Sequence, residues 1–146
     1  MAPTKGIPGR KRHRARVIVL SALYAYYSTG RDPQEVFSSV CKKEKLAGEA
    51  AIFAERLFTA TVTHAAEIDR LIGKATANWT FERIAFVDKN ILRLGITELL
   101  YLPDTPPKAA INEAIELARE YSSEQSSKFV NGILDAVYHE TSSKRE

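Results

Sequence analysis

The segment from Val87 to Leu102 is apolar around almost its whole circumference, and it constrains the fold more than any other part of the chain. Its main polar interruptions are Arg93, Thr97 and Glu98. A helix that is hydrophobic on all sides lies inside a protein, so this segment predicts a central buried helix with other helices around it. Gly95 disfavours the helix by about 1 kcal/mol relative to alanine, which indicates a close helix crossing at that residue.

The other segments carry apolar residues at three- and four-residue spacing, as amphipathic helices do. They predict helices from Arg10 to Ser28 or Gly30, from Asp32 to Glu44, from Leu46 to Lys74, from Thr105 onward and from Gln125 to His139, and a short helix within 78–87 anchored by Trp79 and Phe81. Asp32 has the side chain of an N-cap, and Pro33 suits the first helical position. No alternating strand pattern occurs. We therefore predict an all-α fold, a single compact bundle domain of six or seven helices.

The predicted domain occupies residues 10–140. Residues 1–9 hold two prolines and two glycines and predict a disordered basic leader, and residues 141–146 predict a frayed tail. The single cysteine, Cys41, has no Cys or His at metal-ligand spacing, which argues against a disulfide and a zinc site and favours the cytoplasm. The uncharged run from Val17 to Gly30 is too short to span a bilayer as a helix, so no membrane anchor is expected.

The charge of the chain is strongly polarised. No Asp or Glu precedes Asp32, whereas that first segment holds seven Lys and Arg residues, so the net charge of +3 conceals an acidic remainder. Cations near a helix N-terminus are unfavourable by about 0.3–1 kcal/mol each because of the helix dipole. Helix stability therefore does not explain these cations. Binding to phosphate groups does explain them. The alternative is a basic tail that is simply solvated. We expect this end of the first helix to overhang the body with its cations unburied.

Two long motifs identify a family. They are PPKAAINEAIELA at 106–118 and KFVNGILD at 128–135, supported by ILRLGITELLY at 91–101 and RARVIVLSALYAYY at 14–27. The chain resembles the NusB family of bacterial transcription antitermination factors from about Arg10 to Val137. The resemblance implies two helical subdomains, a single-stranded boxA RNA ligand and the small-subunit ribosomal protein NusE as partner. It also implies a place in the RNA polymerase antitermination complex on ribosomal RNA transcripts and, in some members, a homodimer.

The resemblance also assigns candidate site residues. The arginine-rich RNA-binding leader of the family matches Arg10, Lys11, Arg12, Arg14 and Arg16, and a segment beside the RNA matches Lys128 and Phe129. Residues near the partner and RNA surface match Tyr24 and Asp88, while Gln125 stands where some members carry an acid. Phe129 and Tyr24 are also compatible with core packing, and Asp88 with a first-turn acid favoured by the helix dipole.

The sequence predicts no enzyme, cofactor or metal. Glu113 and Glu116 are a carboxylate pair, but no His or Cys accompanies them, and neither a catalytic triad order nor a phosphate-binding glycine loop occurs. Two alternatives to antitermination remain. One is a NusB-like domain of the kind that precedes the catalytic domain in rRNA cytosine methyltransferases, and the other is a protein-interaction module with an incidental basic leader.

Overall fold

A computed structural model describes residues 9–76 and 80–145 of the chain, and side chains up to residue 142. Seven α-helices form the described part, with no strand among them: α1 (Gly9–Thr29), α2 (Pro33–Glu44), α3 (Gly48–Thr63), α4 (Ala65–Ala75), α5 (Phe86–Tyr101), α6 (Pro107–Tyr121) and α7 (Glu124–Arg145). One 3₁₀ turn, Phe81–Arg83, precedes α5. The predicted all-α class is confirmed. The predicted leader lies outside the described residues except for Gly9, and so does the predicted anchor Trp79.

Two long helices differ from their predicted bounds, and in place of the short helix expected within 78–87 the described residues hold only the 3₁₀ turn Phe81–Arg83. The single helix expected from Leu46 to Lys74 is two helices, because the chain turns at His64. The three residues before the turn, 61–63, are all β-branched and weaken the end of α3. The last helix continues past its predicted end at His139 to Arg145, since no glycine or proline interrupts 133–145. Thr141 donates a hydrogen bond to the carbonyl of Val137 within this extension.

The predicted central helix is confirmed. α5 packs against α1, α3, α4, α6 and α7, and it is buried from Asn90 to Leu99. A methyl group on Gly95 would lie 3.0 Å from the Leu134 side chain and 3.3 Å from that of Ala114. The glycine therefore allows α6 and α7 to approach α5 closely, as its position in the sequence predicts.

Arg93 and Thr97, two polar residues of α5, form hydrogen bonds to neighbouring helices inside the core. Arg93 donates two hydrogen bonds to Asp69 on α4, at 2.9 and 3.2 Å, and its guanidinium lies 3.8 Å from the centre of the Tyr27 ring. Thr97 accepts a 2.9 Å hydrogen bond from Thr61 on α3. These contacts tie α5 to three neighbouring helices, which explains how polar side chains are tolerated in so buried a helix.

The helices form two groups around α5. α1, α2 and α3 pack on one another, and α6 and α7 pack on each other and on α5. α1 reaches across the junction, since it packs against both α3 and α5. The arrangement agrees with the two helical subdomains that the resemblance implies.

Candidate nucleic-acid interface

The N-terminal turns of α1 carry a cluster of cations at the surface. Arg10, Lys11 and Arg14 are exposed, and Arg12 is half-buried. Arg10, Lys11 and Arg12 form no ion pair with any carboxylate in the described part of the chain. Arg14 donates a hydrogen bond to the backbone carbonyl of Glu44 at the end of α2. We call these four residues the α1 cationic end, and their charges are available to an anionic ligand.

Arg16 does not belong to this surface, which corrects the expectation that the whole basic segment is unburied. Only 3% of Arg16 is exposed. Its Nε and Nη2 atoms donate to the two carboxylate oxygens of Glu98 at 2.6 and 2.8 Å, and Glu113 lies 3.7 Å away. Burial by itself lowers the pKa of Arg16, but the hydrogen bonds and charge of Glu98 outweigh it and raise the pKa. The guanidinium is committed to an internal ion pair.

His13 contacts two carboxylates of α6 and so links the basic segment to that helix. Its Nδ1 lies 3.1 Å from a carboxylate oxygen of Glu113, and its Nε2 lies 3.0 Å from one of Glu120. Glu120 is in the last turn of α6, directly before the connection to α7. The first turns of α1 are therefore held over α6, so the cationic end is fixed relative to the body of the protein.

A cavity of about 370 Å³ lies between the start of α5 and the start of α7. Its lining residues are Arg83, Ile84, Ala85, Asp88, Ser123, Gln125, Ser126 and Phe129. It brings together three residues that are far apart in sequence and that the family resemblance singles out, namely Asp88, Gln125 and Phe129. The exposed Lys128 lies beside Phe129 on α7.

Asp88 places a buried carboxylate at the wall of this cavity. The residue is 6% exposed, and its Oδ2 accepts a 2.9 Å hydrogen bond from the Ser126 hydroxyl. Its Oδ1 is buried and has no hydrogen-bond partner among the described residues. Leaving a buried acceptor unsatisfied costs about 1–3 kcal/mol, more for a charged group. The carboxylate of Asp88 is therefore a partly unsatisfied acceptor at the cavity wall.

The aromatic candidates lie at the surface and at the cavity wall. Tyr24 is 58% exposed, and its ring centre lies 5.1 Å from that of Phe86 at the start of α5. Core packing is thus wrong for Tyr24. Phe129 packs partly against the core and also lines the cavity, so it combines the two interpretations that its sequence position allows.

Phe86, Arg83 and Ser126 belong to the surface although the sequence did not indicate them. Phe86 and Arg83 precede the motif at 87–102, and Ser126 is one of four serines between α6 and the motif at 128–135. Nothing in their local pattern distinguishes them from ordinary connecting residues. Their placement at the cavity, or beside Tyr24 in the case of Phe86, follows only from the folding of the chain.

No helix in residues 9–76 and 80–145 is long and apolar enough to cross a membrane. Among the same residues, no group of three or more His, Cys, Asp and Glu side chains is arranged to hold a metal ion.

Comparison with known proteins identifies the family. The model of the NusB family matches residues 13–139. The chain belongs to the NusB family. It is 41% identical to the transcription antitermination protein NusB of Chloroherpeton thalassium over 134 residues, which cover 91% of this chain and 64% of that longer protein. It is 40% identical to the NusB of a Nitratiruptor species over 129 residues, covering 88% of this chain and 92% of that protein.

A solved structure of the antitermination factors NusB and NusE in complex with double-stranded RNA has the same fold. Its similarity has a TM-score of 0.82 with 32% identity, and covers 90% of this chain and 98% of that chain. Both relatives are named transcription antitermination proteins, a non-enzymatic role that agrees with the prediction for this chain. The names of the relatives favour antitermination over the methyltransferase-type module.

Proposed function

We propose that this chain binds single-stranded boxA-type RNA together with the ribosomal protein NusE and so acts in transcription antitermination. The observation that carries the proposal is the α1 cationic end, where Arg10, Lys11 and Arg12 have no carboxylate partner among the described residues. Arginine and lysine at such a position bind phosphates and release counterions. The complex of the related NusB with NusE and RNA supports both classes of partner.

The cavity is the proposed base-reading part of the site. A nucleobase that is splayed out of a single strand can stack on Phe129 while an N–H group on its edge donates to the carboxylate of Asp88. The amide of Gln125 at the rim offers both a donor and an acceptor. Lys128 contacts a neighbouring phosphate. Phosphate contacts at the α1 cationic end supply affinity, and the cavity supplies specificity.

Exposed Tyr24 and the half-buried Phe86, which follows the cavity residue Ala85, are the proposed contact for NusE. Exposed aromatic side chains are enriched in protein interfaces. NusE bound there would stand next to the RNA, which accounts for joint binding and for the proposed recruitment of both to the RNA polymerase complex. A homodimer of this chain, if it covers the same surface, competes with RNA.

Charge removal tests the phosphate contacts. The variant Arg10→Gln/Lys11→Gln/Arg12→Gln is expected to bind boxA RNA more weakly and to flatten the salt dependence. Each phosphate contact contributes about −0.7 to the slope of log K against log salt for single strands, so three lost contacts change the slope by about 2. Lys108→Gln, on α6, serves as a surface-charge control. Unchanged affinity and slope in the triple variant, with the helical circular dichroism spectrum retained, would exclude the α1 cationic end.

A second variant tests the base contact. Asp88→Asn keeps the shape of the side chain but leaves one carbonyl oxygen in place of two carboxylate oxygens. We expect it to reduce the preference for boxA over a scrambled RNA while leaving scrambled RNA binding nearly constant, since the phosphate contacts remain. Equal preference in parent and variant would remove Asp88 from base recognition.

A further inference from the structure

The C-terminal end of α2 carries a second group of cations. Lys42 and Lys43 lie in its last turn, and Lys45 follows its last residue. All three side chains are exposed, and none forms an ion pair with a carboxylate of the described residues. We call these residues the α2 lysine end. Nothing in the motifs that identify the family includes them.

The fold joins this group to the α1 cationic end. Arg14 donates from its guanidinium to the carbonyl oxygen of Glu44, which lies between Lys43 and Lys45 in the chain. α1 and α2 also pack directly against each other. The cations of the two helix ends therefore form one surface, interrupted by the exposed carboxylate of Glu44. In sequence the two groups are separate, so only the folded chain brings them together.

Local stability explains only part of the α2 lysine end. A helix C-terminus favours Lys42 and Lys43 through its dipole. Lys45 is different, because it caps the helix in the left-handed conformation, with φ 56° and ψ 38°. Glycine is the usual residue in that conformation, which is strained for other side chains. Lys45 therefore places a cation where the backbone favours a residue without a side chain, and its charge is not explained by the cap geometry.

We infer that the α2 lysine end is a second RNA-binding site, which holds backbone phosphates of the strand that runs on from the α1 cationic end. The inference rests on the proposed function, because the strand must first be bound there. Lysine ammonium groups on flexible stems are point charges without the planar fork of arginine. The site therefore takes the phosphodiester backbone of any sequence and extends the footprint on RNA beyond boxA itself.

The length of the RNA tests this site. The intact protein would be titrated with fluorescent boxA RNA, and with the same RNA extended by ten uridines on its 5′ or its 3′ side. We expect one extension to raise affinity and to steepen the salt slope by about 2, because three further phosphate contacts add about 0.7 each. The variant Lys42→Gln/Lys43→Gln/Lys45→Gln is expected to lose this gain while binding unextended boxA RNA like the parent.

Two further variants sharpen the result. Lys45→Gly removes one charge and suits the left-handed backbone, so it is expected to keep the fold and to reduce the slope of the extended RNA by about 0.7. Lys108→Gln removes the same charge from α6 and is expected to leave the gain intact.

The outcomes separate the two proposals. If the parent binds boxA RNA and neither extension adds affinity, or if the triple lysine variant keeps the added affinity, the α2 lysine end is not an RNA site. If the parent binds neither boxA nor extended RNA, with and without NusE, the proposed function fails and this inference fails with it.

Discussion

The buried ion pair between Arg16 and Glu98 is expected to contribute to the stability of the fold and not to RNA binding, unlike the exposed cations of the same segment. Arg16 is 3% exposed and Glu98 is fully buried, and two hydrogen bonds join them. Removing one partner of such a pair costs about 3–5 kcal/mol, because the other charge stays buried without its counterion. Glu113, 3.7 Å from Arg16, compensates in part when Glu98 is removed. We therefore expect Glu98→Ala to lower the free energy of unfolding by about 3 kcal/mol, near the lower end of that range.

The matching double variant is expected to behave differently. Arg16→Met/Glu98→Leu replaces both charges by apolar side chains, and such replacements are often neutral or stabilising by about 1–4 kcal/mol. Since Arg16 is not on the surface, the double variant should also keep the RNA affinity of the parent. Arg12→Gln provides the opposite control, because it is expected to weaken RNA binding while leaving the fold unchanged.

Thermal unfolding followed by circular dichroism measures the first effect. For a domain of this size 1 kcal/mol corresponds to about 2–4 °C, so Glu98→Ala is expected to lower Tm by about 6–12 °C. RNA titration of the folded double variant measures the second. A Tm within 2 °C of the parent for Glu98→Ala would refute the energetic argument. Lost RNA affinity in a stable double variant would refute the assignment of Arg16 to the core.

Three further predictions concern stability. Gly132→Ala, in an open part of α7, should raise the free energy of unfolding by about 0.5–1 kcal/mol. Gly95→Ala should give a lower Tm than Gly132→Ala, because its methyl group would contact the Leu134 and Ala114 side chains. Asp32→Ala removes the acceptor of the 3.1 Å cap bond from the Glu35 backbone and should cost about 1 kcal/mol in urea unfolding. Burial raises the pKa of Tyr27 above its ordinary 10.0. The contribution of the protonated hydroxyl to the free energy of unfolding is therefore fully present below pH 10 and is lost as the pH rises through the raised pKa. Tyr27→Phe should reduce this alkaline loss in unfolding free energy, and an unchanged loss would contradict the assignment.

Helix positions could be predicted from the sequence because local signals encode them. The N-cap at Asp32, the proline before α6 and the apolar circumference of α5 each act over a few residues. The break at His64 is not predicted because the apolar spacing continues through it, and both α3 and α4 pack on α5. The low helix propensity of the β-branched residues 61–63 is a local signal for this break.

The candidate site was less predictable than the fold. The arginine-rich segment was visible in the sequence, but the separation of Arg16 from its neighbours depends on Glu98, a residue 82 positions away in the chain. The free oxygen of Asp88 depends in the same way on the meeting of α5 with α7. Electrostatic environment is a tertiary property, so a charge pattern predicts that a surface is basic and not which of its charges are free.

Selective RNA binding is the deciding measurement for the proposed function. Binding of boxA RNA and of a scrambled RNA of equal composition would be measured at several salt concentrations, with and without NusE. We expect tighter binding of boxA, strengthened by NusE, with a salt slope of about −3.5 from Lys128 and the four residues of the α1 cationic end at about −0.7 each. Equal affinity for both RNAs in the presence of NusE, or a slope near zero, would contradict it.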